Sequence, residues 1–140
     1  MALITRLSRL FRADVNAVLD RIEEPAVLLR QAVREMDEEL ARDEQRGRLT
    51  AHELHQLDVA IADVDRALQE IGEQLDACFG AGEDDLARVL VRRRLETEQR
   101  RRLLAGRRDA LVDAQAELRR RLDDNRRRLD AMRQKAELLG

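Results

Sequence analysis

The sequence has 140 residues, of which 40% are charged and only 1% are aromatic, with no Trp or Tyr. A compact core usually draws on aromatic and β-branched side chains, so this composition excludes an ordinary globular domain and favours long helices. Cys78 is the only cysteine, which excludes an intrachain disulfide and favours a reducing compartment. No run approaches the roughly 20 apolar residues that cross a bilayer, so we expect a cytoplasmic protein.

The net charge of −2 is unevenly distributed along the chain. Residues 23–82 carry six Arg against fifteen acidic side chains, whereas residues 83–140 carry seventeen basic side chains against twelve acidic ones. A strongly acidic segment followed by a basic one indicates that the two segments face each other.

Residues 1–22 are predicted to form an amphipathic helix. An apolar face at helical spacing opposite an arginine face suits a helix in a lipid headgroup layer, but it also suits a helix that packs on protein. Asp14 borders the apolar face and argues against lipid, so the periodicity leaves both alternatives open. The apolar face includes Leu3, Ile4, Leu7, Leu10, Phe11 and Val15, and the opposite face holds Arg6, Arg9 and Arg12.

A second helix is predicted to begin at Pro25, because proline disfavours helix in the residue before it and suits the first turn. From Leu29 to Cys78, apolar residues recur at alternating steps of three and four. This narrow stripe is typical of a coiled-coil seam, which must be covered by another helix.

The segment 80–82 contains two glycines and is the predicted reversal between arms at about 25–79 and 84–139. The fold class is therefore all-α: a long antiparallel coiled-coil hairpin over residues 25–140, preceded by the amphipathic helix. The best pairing of the arms places Gly47 opposite Leu118, so that a missing side chain faces a large one.

The same pairing places three apolar seam residues of the first arm opposite arginines. Arginine stems can lie along apolar surface with their charged heads in water, yet we expect this half of the seam to be poorly covered and to bind another molecule. The three residues are Leu57, Val64 and Ile71, opposite Arg108, Arg101 and Arg94 respectively.

No catalytic, metal or cofactor site is predicted. His52 and His55 are three residues apart rather than the four of a zinc-protease helix, and Cys78 is interpreted as a small apolar residue of the seam. Runs of three arginines point in three directions on a helix, and many have an acid four residues earlier, so they do not form a nucleic-acid-binding face.

Two segments resemble the phage shock protein A family, which includes the plastid vesicle-inducing protein. Residues 23–40 (EEPAVLLRQAVREMDEEL) are similar to the acid-acid-Pro opening of that family and its Glu-Met helix. Residues 83–95 (EDDLARVLVRRRL) resemble the family segment that follows the hairpin turn. The resemblance covers essentially the whole chain.

The resemblance implies a bacterial, non-enzymatic, ESCRT-III-like protein that is peripheral on the inner face of the cell membrane. By position, the apolar residues of the first helix would insert into stressed anionic membrane and its three arginines would contact headgroups. The hairpin would serve for self-assembly or partner binding; alternatively, the protein would be a soluble regulator that holds an AAA+ transcription activator. Family members usually continue with further helices, so we expect a short member or a fragment.

Overall fold

A computed structural model describes residues 24–139 of the chain. These residues form two α-helices, α1 (Pro25–Ala81) and α2 (Asp84–Leu139), and no strand occurs among them. The helices pack against each other, which confirms the predicted all-α hairpin. The amphipathic helix predicted for residues 1–22 lies outside the described residues. Helix α1 begins at proline because the ring fixes a helical φ and the missing N–H has no partner at that position anyway.

The reversal between the helices depends on Gly82. Its φ is +73°, a left-handed conformation that only glycine adopts without a steric cost. The Glu83 amide donates to the carbonyl oxygen of Cys78 at 3.0 Å, which is the bond that closes a helix in a Schellman motif. Asp84 and Asp85 then occupy the first turn of α2, where negative charge complements the helix dipole. The chain therefore reverses almost immediately after α1 ends.

The structure divides into two compact units. The first, here called the terminal unit, comprises the described residues 24–47 and 117–139. Its core is a cluster of buried side chains from both helices, which are Ala32, Met36, Leu40, Leu129 and Met132. A Cβ built on Gly47 would lie 3.7 Å from Leu118, so the predicted facing of these two residues is confirmed.

Asp43 is the buried polar residue of the terminal unit, with 2% of its surface exposed. It occupies a seam position, where most residues are apolar. Both of its carboxylate oxygens lie 3.4 Å from Arg121 Nη2 on α2, and Arg46 Nη1 is also 3.4 Å away. A buried carboxylate is tolerated only when it is paired in this way.

The second unit, here called the turn unit, comprises Arg48–Ala116. Next to the reversal, a second cluster of buried residues joins the helices, which are Ile71, Leu75, Cys78, Ala87 and Leu90. The thiol of Cys78 is free and buried within this cluster, in agreement with its interpretation as a small apolar residue of the seam.

The two glycines at the reversal should respond to substitution in opposite directions. Gly82→Ala should destabilise the chain by about 1–2 kcal/mol because alanine is strained at positive φ. Gly80 lies inside α1, and a Cβ there would meet no atom within 4 Å. Gly80→Ala should therefore stabilise the chain by about 0.5–1 kcal/mol through its higher helix propensity. Urea unfolding followed by circular dichroism measures both changes; equal effects would contradict this account of the reversal.

Candidate protein-binding flank of the turn unit

The expectation that the seam is poorly covered is wrong for two of its three residues. Val64 is 7% exposed and Ile71 is 3% exposed, so neither side chain is available to another molecule. Leu57 is half-buried and remains partly accessible. The predicted interaction residues therefore do not form one continuous apolar surface.

The cover over this part of the seam comes from arginines that are held by aspartates of the other helix. Arg101 donates from Nε and Nη2 to the two carboxylate oxygens of Asp65, the second at 3.3 Å. Arg108 donates from Nε to Asp58. Since Asp65 follows Val64 directly in α1, we infer that the stem of Arg101 lies across the seam beside Val64. The sequence predicts that the guanidinium heads lie in water. In the structure they are bonded to carboxylates instead.

These bonds also shift the pKa of three of the paired groups. The hydrogen bond from Arg101 lowers the pKa of Asp65 below its usual value, and the charge of the arginine acts in the same direction. The same bond raises the pKa of Arg101, and the bond to Asp58 raises the pKa of Arg108. These shifts favour the ionised forms of Asp65, Arg101 and Arg108.

The ion pairs lie on one flank of the seam only. Asp58 and Asp65 each follow a seam residue directly, which is position e of a heptad when the seam residues are a and d. Positions e and g lie on opposite sides of a seam. Because the arginine heads turn to the e side, no arginine–aspartate pair closes the g side of the turn unit at these levels.

An open groove of about 600 Å³ lies on this uncovered side. In α1 it is lined by Glu53, Gln56, Leu57 and Ala60, and in α2 by Arg107, Ala110 and Leu111. The alanines leave room between the helices, and the two leucines supply apolar surface. The accessible part of Leu57 faces this groove, which makes the groove the candidate binding site of the described residues.

Sequence reasoning did not find the sidedness of the hairpin. The signal was present, because Asp58 and Asp65 are seven residues apart, and so are the arginines opposite them. Two acids at heptad spacing facing two bases at heptad spacing indicate a ladder of ion pairs on one flank. The expected facing of acidic and basic segments is seen directly in these pairs and in Asp37–Arg133 of the terminal unit.

The remaining predictions concern metal binding and membrane binding. His52 and His55 are exposed, and no group of three metal-binding side chains occurs among residues 24–139. Neither described helix contains a stretch long and apolar enough to span a bilayer. The predicted membrane-binding residues lie outside the described range; they are Leu3, Ile4, Leu7, Leu10, Phe11 and Val15, with Arg6, Arg9 and Arg12.

Comparison with known proteins agrees with the hairpin and with the resemblance of its segments. A model of the PspA/IM30 family matches residues 2–140. The chain belongs to the PspA/IM30 family. It is also similar to a phage shock protein A homolog of Deinococcus radiodurans, with 32% identity over 95 residues. This match covers 66% of the chain and 42% of that relative, so the chain spans less than half the length of the relative that it matches.

Membership in the PspA/IM30 family gives the hairpin a functional context. The family consists of structural and regulatory proteins rather than enzymes, and it takes part in phage-shock-type stress responses. Its members associate with membranes peripherally.

The burial of Ile71 can be tested against an exposed residue of the same helix. Ile71→Ala should lower the free energy of unfolding by about 2 kcal/mol or more, because it removes a packed side chain from the cluster beside the turn. Val59 is 47% exposed, so Val59→Ala should change it by less than about 0.5 kcal/mol. Urea unfolding midpoints measure the difference. Similar small losses in both variants would show that Ile71 is not covered.

Proposed function

We propose that this chain is a phage-shock-type peripheral membrane protein of the bacterial cytoplasm. Residues 1–22 bind the stressed, anionic inner face of the cell membrane, and the hairpin is used for self-assembly or for partner binding. Family membership over residues 2–140 carries the proposal, because the family is peripherally membrane-associated. No enzymatic step is involved.

The sequence of residues 1–22 supports the lipid-binding part of the proposal. Its apolar face contains Leu7 and Phe11, which suit insertion at the boundary between headgroups and acyl chains. Four arginines against two aspartates give this segment a positive charge, and each basic residue near an anionic surface contributes about 1 kcal/mol. Insertion and charge together account for a preference for anionic membranes.

Sedimentation with lipid vesicles tests this assignment. The full chain should sediment with vesicles that contain phosphatidylglycerol and much less with vesicles of phosphatidylcholine alone, because the arginines require anionic lipid. The double substitution Leu7→Glu and Phe11→Glu should abolish sedimentation by placing charge on the inserting face. Circular dichroism should show a gain of helix on anionic vesicles in the unmodified chain.

A matched control places the same charge on the hairpin. Val59→Glu also replaces an exposed apolar side chain but lies outside the first segment, so it should leave vesicle binding unchanged. A chain that lacks residues 1–22 should also fail to sediment. Undiminished binding by that shortened chain would refute the membrane assignment, whatever the hairpin binds.

A second candidate function is supported by the groove beside Leu57. In this alternative the protein is a soluble regulator that holds an AAA+ transcription activator through the hairpin, without acting on the membrane. An apolar groove between two helices is a common site for a partner helix. The two candidates differ in which part of the chain is essential.

Substitutions at two neighbouring alanines separate the candidates. Ala60→Glu places a carboxylate in the groove and should weaken binding to a purified AAA+ activator at least tenfold, because the site loses apolar surface. Ala62→Glu lies on the exposed outer face and should have little effect. Binding is measured by surface plasmon resonance, with vesicle sedimentation in parallel. Equal loss in both variants, or none in either, would remove the groove from this role.

A further inference from the structure

One side of the terminal unit is buried more deeply than a two-helix hairpin explains. Its α1 residues each come directly before a seam residue, at position g or c of a heptad, and so lie on the side away from the Asp37–Arg133 pair. They are here called the covered flank and are Leu28, Ala32, Glu35 and Glu39.

The apolar residues of the covered flank can be compared with identical residues of the turn unit. Ala32 is 0% exposed, whereas Ala60 and Ala67, at the same heptad position, are only half-buried. Leu28 is half-buried, whereas Leu49, three heptads further along, is 55% exposed. Position beside the seam therefore does not account for the burial in the terminal unit.

The glutamates of the covered flank differ from their counterparts in the same way. Glu35 and Glu39 are half-buried, whereas Glu70 and Glu53, at the same heptad positions, are exposed. Oε2 of Glu35 is buried and has no hydrogen-bond partner among residues 24–139. Because a carboxylate oxygen is costly to remove from water, its burial here indicates that other atoms lie over this part of α1.

Helix α2 shows the same contrast across the seam. Arg128 and Lys135 are half-buried, whereas Arg93, Arg100 and Arg107, which share their heptad position, are exposed. The cover thus extends over both helices of the terminal unit. A third element that lies between α1 and α2 would produce this pattern.

The conformation of Glu24 indicates where such an element would come from. Its φ is +57°, a left-handed conformation that is unfavourable for a residue with a Cβ. A residue in this conformation commonly follows the last turn of a helix and closes it, as Gly82 does between α1 and α2. A second reversal directly before Pro25 would return the preceding segment along α1, over the covered flank.

The sequence before this reversal has the spacing that the covered flank requires. Phe11, Val15, Val18 and Ile22 recur at steps of four, three and four, the same steps that separate the four residues of the covered flank. Stripes with equal steps can pack antiparallel along a common seam. Residues 11–22 would form a helix of roughly 18 Å at 1.5 Å per residue, and residues 28–39 of α1 have the same length.

We propose that residues 11–22 dock as a helix on the covered flank, antiparallel to α1, and that they leave it when the chain binds membrane. Phe11 and Val15 cannot pack on the hairpin and insert into lipid at the same time, so the two states exclude each other. Residues 1–10 would extend beyond the flank and would still gain helix on vesicles. The docking stands on the hairpin alone, whereas the competition with lipid rests on the proposed membrane function.

A second copy of the chain is a weaker choice of occupant. Ala32 is already fully buried within a single chain, so no other copy is needed to cover it. Charge does not select an occupant, because Glu35 and Glu39 lie on one side of this surface and Arg128 and Lys135 on the other. The direct attachment of residues 11–22 and their matched spacing favour the chain's own segment.

Cross-linking of the full-length chain in the absence of lipid tests the docking. In a Cys78→Ser background, the pair Val15→Cys and Glu35→Cys is treated with a short bismaleimide at low protein concentration. The control pair is Val15→Cys and Glu70→Cys, since Glu70 has the heptad position of Glu35 but lies in the turn unit. We expect at least tenfold more cross-linked monomer from the first pair, measured by mass spectrometry after digestion.

A matched pair of neutral substitutions tests the competition with lipid. Leu28→Gln removes apolar surface from the covered flank and should tighten binding to phosphatidylglycerol vesicles at least threefold, because a docked segment is not available to lipid. Leu49→Gln makes the same change at an exposed site of the same heptad position, and should leave binding unchanged. Sedimentation measures both affinities, and circular dichroism confirms that both variants remain helical.

Several results would overturn the proposal. Equal cross-linking in both pairs, or none in either, would refute the docking, and cross-linked dimers in place of monomers would make the segment of a second copy the occupant. Unchanged vesicle binding by Leu28→Gln would refute the competition. Because the cross-link is measured without lipid, docking can be found when vesicle binding fails, and vesicle binding can be found when docking fails.

Discussion

The hairpin depends on one constraint: an apolar stripe on a long helix must be covered by side chains of its neighbour. Over the two buried clusters this is done by apolar residues of α2. Between them, at the levels of Leu57 and Val64, α2 presents arginines instead. There the cover requires that each arginine be held in one direction, and Asp58 and Asp65 hold Arg108 and Arg101. These are partly exposed ion pairs, which contribute little by themselves; their importance is that they fix where the stems lie.

This solution makes the two flanks of the turn unit different. A pair of apolar residues at a seam covers both sides alike, whereas an arginine whose head is drawn to one flank covers that flank more than the other. The groove lined by Leu57, Ala60 and Ala110 is found on the other side. The same residues that complete the seam therefore leave this groove open.

The helical hairpin and its pairing could be predicted from the sequence because they follow from long-range periodicity. The apolar stripe repeats over seven heptads and predicts a helix. One proline and one glycine-rich break mark where the helix begins and where the chain reverses, and so fix the direction and the pairing of the two arms. The facing of Gly47 and Leu118 agrees with this pairing. The exposure of individual seam residues could not be predicted in the same way. Whether an arginine head stays in water or crosses to a carboxylate depends on rotamers and on residues one position away, so Val64 and Ile71 were wrongly expected to be accessible. The role of residues 1–22 rests on sequence and family alone.

The abrupt reversal at Gly82 also has a consequence for the order in which the hairpin assembles. Contacts such as Leu75 with Leu90 close a very short loop, so little chain entropy is lost when they form. Contacts between Met36 and Leu129 close a far longer loop, but that loop is already shortened if the residues nearer the turn have paired. Chain entropy therefore favours zippering outward from the turn, with each heptad aligned by the one before it. The cluster that contains Cys78 is the natural nucleus, and the cluster that contains Met36 and Leu129 is the last to form.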